Sequence, residues 1–217
     1  MEKLEIDIPL RAVTLKGTIV IPKNATGIVV FSNGNNLSII GKRNSYTAKL
    51  IQKCNLGTIV FDLLTQEEHL DCQNKYNIDL LVSRLIETTE WLIQNNATKN
   101  LPIGYFGSNI GAAAAMRAAA YFGKMIKAVV SRGGRPDMVI ETLDQITAPT
   151  LLIVGEVDVP IISRNKLAFD QLQSVKEMSI IPKATQSLKE PDKLQEATEL
   201  AITWFTRHFT PRESILY

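Results

Sequence analysis

Short apolar runs alternate along this chain with segments whose apolar residues recur every three or four positions. Continuous runs stand at residues 27–31, 58–61, 103–106 and 150–154, with a weaker one at 128–130. Unbroken β-branched and aromatic runs of this length suit strands buried on both faces, as in a parallel sheet. Residues 3–8 and 11–21 instead alternate apolar with polar side chains, which predicts half-buried antiparallel strands at a sheet edge. Between the runs lie helical patterns. Residues 44–54 carry Tyr46, Leu50 and Ile51 on one predicted face, and 77–95 place Ile78, Leu81, Leu85 and Leu92 at helical spacing. Residues 111–122 are rich in alanine, the best helix former and small enough to pack closely on a sheet. Residues 192–209 bring Leu194, Ala197, Leu200, Ala201, Trp204 and Phe205 onto one stripe.

Strands alternating with helices predict an α/β domain with a mainly parallel central sheet, an antiparallel N-terminal edge and helices on both faces. No repeat or linker interrupts it, so one domain over 1–217 is expected. Ligands of open α/β sheets bind at the carboxyl ends of the strands. The informative loops are then those after Phe31, Phe61, Phe106, Val130, Val154 and Ile181.

Composition narrows the function classes. With 217 residues and 45% hydrophobic content the chain can bury a sizeable core. A net charge of +2 without clusters of Lys or Arg leaves no electrostatic footprint for nucleic acid. No apolar run is long enough to span a bilayer, and charged residues interrupt the N-terminus, so a soluble, cytoplasmic protein is expected. The two cysteines, Cys54 and Cys72, lack metal-ligand spacing and are too few for a disulfide framework. Neither a metal nor a cofactor is expected. Cys54, ending an amphipathic helix, reads as core packing, and a Cys72–His69 pair as a remote alternative.

One segment carries candidate chemistry. Gly104-Tyr105-Phe106-Gly107-Ser108-Asn109-Ile110-Gly111-Ala112 runs from a buried strand into the alanine-rich helix. It has the layout of a nucleophile elbow, G-x-S-x-G, with Asn109 at the centre. Together with Phe61-Asp62-Leu63-Leu64-Thr65, Ser131-Arg132-Gly133-Gly134-Arg135-Pro136-Asp137, the stretch from Ala148 to Gly155, and Trp204-Phe205, it makes the chain resemble the dienelactone hydrolase-like α/β hydrolases. Within that group it looks closest to small hydrolases found alone or fused to phosphoribosyltransferase domains. The resemblance spans about residues 6 to 209 and implies an α/β-hydrolase fold.

It departs from the family at the reacting positions. The family has serine or cysteine where this chain has Asn109, and histidine where it has Gln186. It commonly has His-Gly where this chain has Asn33-Gly34. Asp158, in Gly155-Glu156-Val157-Asp158, matches the family's acid. A carboxamide cannot become a strong nucleophile at neutral pH, and Gln186 cannot take and return a proton there. Ser108 neighbours the elbow, but its side chain is expected to point elsewhere and to bond local backbone. His208 is expected on the surface at a helix end, and His69 in a solvated loop.

The replacements look conservative for shape. Asparagine tolerates positive φ, and Gln186 could donate a hydrogen bond toward Asp158. The presumed cleft gathers Asn33, Asn36, Asn109, Gln186 and Asp158. Backbone amides near Asn33, Gly34 and Ile110 are candidates for holding an anionic group. Arg132 and Arg135 suit carboxylate or phosphate recognition, or equally a structural role bonding loop carbonyls. The leading expectation is a catalytically silent hydrolase-fold protein that binds a polar or anionic small molecule, or that engages a protein partner or a second copy of itself. The alternatives are an ester or lactone hydrolase with an unorthodox site, and a structural subunit whose cleft has drifted.

Overall fold

The computed structural model describes residues 2–32 and 41–209. Eight strands form one sheet in the order β1 (Leu4–Pro9), β2 (Thr14–Val20), β4 (Gly57–Phe61), β3 (Ile28–Ser32), β5 (Ile103–Ser108), β6 (Ile126–Arg132), β7 (Thr150–Gly155) and β8 (Lys176–Ile181). The pairs β1–β2 and β2–β4 are antiparallel, and every other neighbouring pair is parallel. The apolar runs became the central strands because both of their faces are covered. In β3, Ile28 and Val30 join one core, while Val29 and Phe31 join the other.

Among the described residues five helices cover the two faces: α1 (Lys42–Lys53), α2 (Ile78–Gln94), α3 (Ile110–Phe122), α4 (Val159–Gln171) and α5 (Lys193–Phe209). Helices α1 and α5 build one core, where Ile51, Trp204, Phe205 and Phe209 meet Phe31 and Phe106. Helices α2, α3 and α4 build the other, with the alanines of α3 against Tyr105 and Val129. Asn77 starts α2 by accepting the Leu80 amide on its side-chain oxygen at 3.1 Å, a standard way to satisfy an orphan helix donor.

Three expectations need correction. Helix α4 was not evident in the pattern, because its buried positions are only Ile161, Asn165 and Ala168. On α1 the buried residues are Asn44, Thr47, Ala48 and Ile51, and Tyr46 is exposed. The buried stripe is therefore rotated from the one the large residues suggested, and small polar side chains fill it. Cys54, at the end of α1, is exposed and not core packing. Cys72 is also exposed and free.

Strand order reverses at β3. The chain leaves β3 for β4 on one side, and β5 returns on the other. Ligands of such sheets lodge beyond this switch point, here beyond Ser32 and Ser108. Among the described residues no helix is long and apolar enough to cross a membrane.

Candidate functional site

The bend between β5 and α3 forms at Asn109, with φ 51° and ψ −124°. Positive φ was expected, but the reason offered for it does not hold. Asparagine tolerates the left-handed helical well near ψ +45°, and ψ of −124° lies far outside that well. Gly123 adopts almost the same angles, φ 53° and ψ −128°, where the missing Cβ makes them free of strain. Asn109 therefore carries backbone strain that its surroundings enforce. Its carbonyl accepts the Ala112 amide at 3.2 Å and the Arg135 amide at 3.1 Å. Ser32 Oγ donates to the Gly111 carbonyl at 2.8 Å, tying the end of β3 to the first turn of α3. Gly107 allows the crossing, since a Cβ there would lie 2.5 Å from Ala112 Cα.

Asp158 and Gln186 meet, though not through the groups expected. The main-chain amide of Gln186 donates to Asp158 Oδ2. The Gln186 side chain turns away, and its Nε2 donates to the Gly133 carbonyl at 2.8 Å. Gln186 thus ties the loop after β8 to the loop after β6, and leaves its amide side chain on the wall of the cleft.

That cleft, of about 190 Å³, is lined by Ser108, Asn109, Arg132, Gly133 and Gln186, with Arg43 and Ser187 at its side. Ser108 is half-buried and is among the residues that line this cleft. Arg132 ends β6 and is 8% exposed. Its Nη2 donates to Asn44 Oδ1 at 3.2 Å, and its guanidinium lies 5.3 Å from the Phe106 ring centre. Nη1 is buried and has no hydrogen-bond partner among the described residues. Burial, and then the charge of Arg43, pull the Arg132 pKa down to about 10. Arg43 is exposed and donates from Nη1 to the Ser187 carbonyl at 3.1 Å.

Arg135 is spent elsewhere. Its Nε and Nη2 each donate to Asp137 at 2.8 Å, and it is not among the residues lining the cleft. The hydrogen bond to Asp137 holds Arg135 above its ordinary pKa. Burial pushes Asp137 upward, but the hydrogen bond and charge of Arg135, with Arg164 at 3.7 Å, outweigh it and leave the carboxyl lowered. Arg135 thus pairs with a carboxylate of its own loop rather than with the loop carbonyls expected of it. Ile110 is buried at the start of α3, where the first amides of a helix lack intrahelical acceptors. Asn33, Gly34 and Asn36 lie outside the described residues.

His69 also needs correction. It is 5% exposed, in a short 3-10 turn over Glu68–Leu70, not a solvated loop. Its Nε2 lies 3.0 Å from Asp62 Oδ2. Burial raises the Asp62 pKa, and the neighbouring His69 opposes that rise. Asp62 borders a separate groove of about 440 Å³ with Val13, Leu15 and Lys16, so His69 is not brought to Asn109. His208 is half-buried, its ring 4.5 Å from Trp204. No group of three His, Cys, Asp or Glu side chains suited to a metal gathers among the described residues.

The sequence reading missed Arg43. A signal existed: α1 opens with Lys42 and Arg43 and has no acidic residue in its first turn. Cations at a helix N-terminus oppose the helix dipole, so their placement there calls for another reason.

The chain is 43% identical to a dienelactone hydrolase from Anabaena variabilis, covering 95% of this chain and 98% of that one at a TM-score of 0.92. Est1E from Butyrivibrio proteoclasticus superposes at a TM-score of 0.78 with 13% identity, covering 94% of this chain and 98% of that one, a likeness of fold alone. Two proteins of Mycobacterium tuberculosis (strains CDC 1551 / Oshkosh and ATCC 25618 / H37Rv), each named "Putative phosphoribosyl transferase", are 40% identical over 204 residues. The match covers 94% of this chain and 46% of theirs, so the chain spans about half the length of the curated relatives it matches. No family model matches the sequence.

Proposed function

Because the chain belongs to the dienelactone hydrolase-like family of α/β hydrolases, we propose that it keeps the hydrolase scaffold without the reaction and uses the cleft at the elbow to bind a polar or anionic small molecule. The observation that carries this reading is the pair at the heart of the site. A carboxamide, Asn109, occupies the strained bend, and a main-chain amide, not an imidazole, contacts Asp158. Acyl transfer needs an activatable nucleophile and a proton shuttle, and neither residue supplies one. The retained strain argues for use over drift. Relaxing the bend would need only a glycine, yet a strained non-glycine residue is kept, a pattern that clusters at functional sites.

Asn109 and Gln186 offer amide groups to a polar ligand, and Arg132 offers charge. The phosphoribosyl transferase name belongs to proteins about twice as long, and it places phosphorylated metabolites on the list of compounds to test. Exposed Cys54 and Cys72 suit a reducing compartment, and we place the protein in the cytoplasm.

Catalytic hydrolysis of an ester or lactone remains the second reading, favoured by the 43% identical dienelactone hydrolase. A p-nitrophenyl acetate assay separates the two. The proposal expects no turnover above buffer and no difference between wild type and Asn109→Ala. Turnover that Asn109→Ala abolishes overturns it. In thermal-shift screens a panel of small carboxylates and phosphorylated compounds is expected to include stabilisers. A flat response across the panel would instead support a structural subunit.

A further inference from the structure

Resting on the binding reading above, we propose that the cleft is built for a dianionic phosphate group, a phosphate monoester or free phosphate, held between Arg132, Arg43 and the first amides of α3. The first ground is the state of Arg132. Guanidinium groups removed from water are tolerated when a carboxylate or another anion compensates them. Arg132 lines the cleft at 8% exposure, bonds only the neutral Asn44 side chain, and leaves Nη1 buried without an acceptor among the described residues. Arg132 has no carboxylate partner among the described ion pairs, whereas Arg84, Arg117, Arg135 and Arg207 each have one within 2.8 Å.

The second ground is the company it keeps. Arg43 lines the same cleft, adding a second positive charge at a helix start where a cation is disfavoured. No Asp or Glu is among the described residues that line it. Asp158, the acid of the neighbouring loop, accepts the Gln186 amide. The amides opening α3 add a positive dipole end to the same place.

Charge then selects the ligand class. Two guanidinium groups and a helix start match a group of roughly −1.5 to −2 with three acceptor oxygens, which a phosphate monoester supplies at neutral pH. A monocarboxylate would leave one guanidinium uncompensated. A cleft of about 190 Å³ admits phosphate with a small organic portion, and Asn109 and Gln186 bring amide-bearing residues to its lining. A bound dianion would also reverse the lowering of the Arg132 pKa that burial and Arg43 impose.

Isothermal titration of the full chain in phosphate-free buffer tests this, with ribose 5-phosphate, inorganic phosphate and acetate as probes. Ribose 5-phosphate or inorganic phosphate is expected to bind at least tenfold more tightly than acetate. Affinity should rise between pH 5.5 and 7.5 as the second phosphate proton leaves, near pH 6. Preference for the sugar phosphate over inorganic phosphate identifies the monoester as the source, and equal affinity identifies the phosphate group alone. Arg132→Met should weaken binding at least tenfold. Arg43→Ala, an exposed position that leaves the core intact, should weaken it at least threefold. Acetate bound as tightly as phosphate overturns the dianion assignment and leaves the binding reading standing. Phosphate bound equally by both variants, or by none of the proteins, also overturns it. Ester turnover dependent on Asn109 overturns the underlying reading instead.

Discussion

Arg84 and Arg132 are buried to similar degrees, 6% and 8% exposed, yet they are treated in opposite ways. Arg84, on α2, reaches Glu68 Oε1 at 2.7 Å, and Glu68 Oε2 accepts the Thr65 amide at 2.9 Å. Its charge is compensated, although its Nε has no acceptor among the described residues. In the same loop His69 lies against Asp62 at 3.0 Å. The chain leaving β4 is thus closed by the Arg84–Glu68 ion pair and the His69–Asp62 contact, which hold it to the body of the protein. Arg132 has an amide, an aromatic face and another cation nearby, but no carboxylate among the described residues. Buried charge serves the fold in the first region. In the second, on the proposal above, it awaits an anion from outside. The contrast separates a compensated charge from an uncompensated one more sharply than residue type does, since both are arginine.

The largest effect should come from breaking the compensated region. Glu68→Ala strands Arg84 in the interior and should cost about 3 kcal/mol, read by urea denaturation. A change below about 0.5 kcal/mol would mean that the ion pair contributes little and that the contrast is overstated. His69→Ala removes the group that opposes the rise of the Asp62 pKa, leaves a buried carboxyl without its neighbour, and should cost about 2 kcal/mol near neutrality. The sign follows from that raised pKa. Asp62 contributes stability fully below its unfolded value of 3.8 and loses it as pH rises through the folded value. Without His69 the folded value climbs further, so the deficit against wild type should grow from pH 4 to pH 7. A deficit that is constant over that range would contradict the buried pairing.

At the elbow a smaller change of opposite sign is expected. Asn109→Gly relieves the strained bend and should stabilise the protein by about 1 kcal/mol, seen as a higher denaturation midpoint. Destabilisation would show that the Asn109 side chain holds the bend in place.

Much of the fold could be read from the sequence because parallel strands buried on both faces leave unbroken apolar runs. The runs at 27–31 and 103–106 became β3 and β5 with ends shifted by at most two residues. Helix α4 was missed because a helix burying Ile161, Asn165 and Ala168 leaves little periodic signal. His69 was misread for a related reason. Its neighbours Gln66, Glu67 and Glu68 look solvated, but Glu68 is bound to Arg84, sixteen residues ahead, and no local pattern reveals such a pairing. At the site, the bend at Asn109 followed from its flanking glycines. The roles of Arg132 and Arg135 could not be separated in sequence because both fall in one short stretch, Arg132 to Arg135. Only side-chain direction sends Arg135 to Asp137 and leaves Arg132 in the cleft.

Replacing Arg132 by methionine, which fills similar space without charge, asks most directly whether its charge serves the fold. In phosphate-free buffer the urea stability of Arg132→Met should stay within about 1 kcal/mol of wild type, because an uncompensated buried charge adds little to the fold. A loss of about 3 kcal/mol, equal to that expected for Glu68→Ala, would make Arg132 a structural residue like Arg84 and contradict the account.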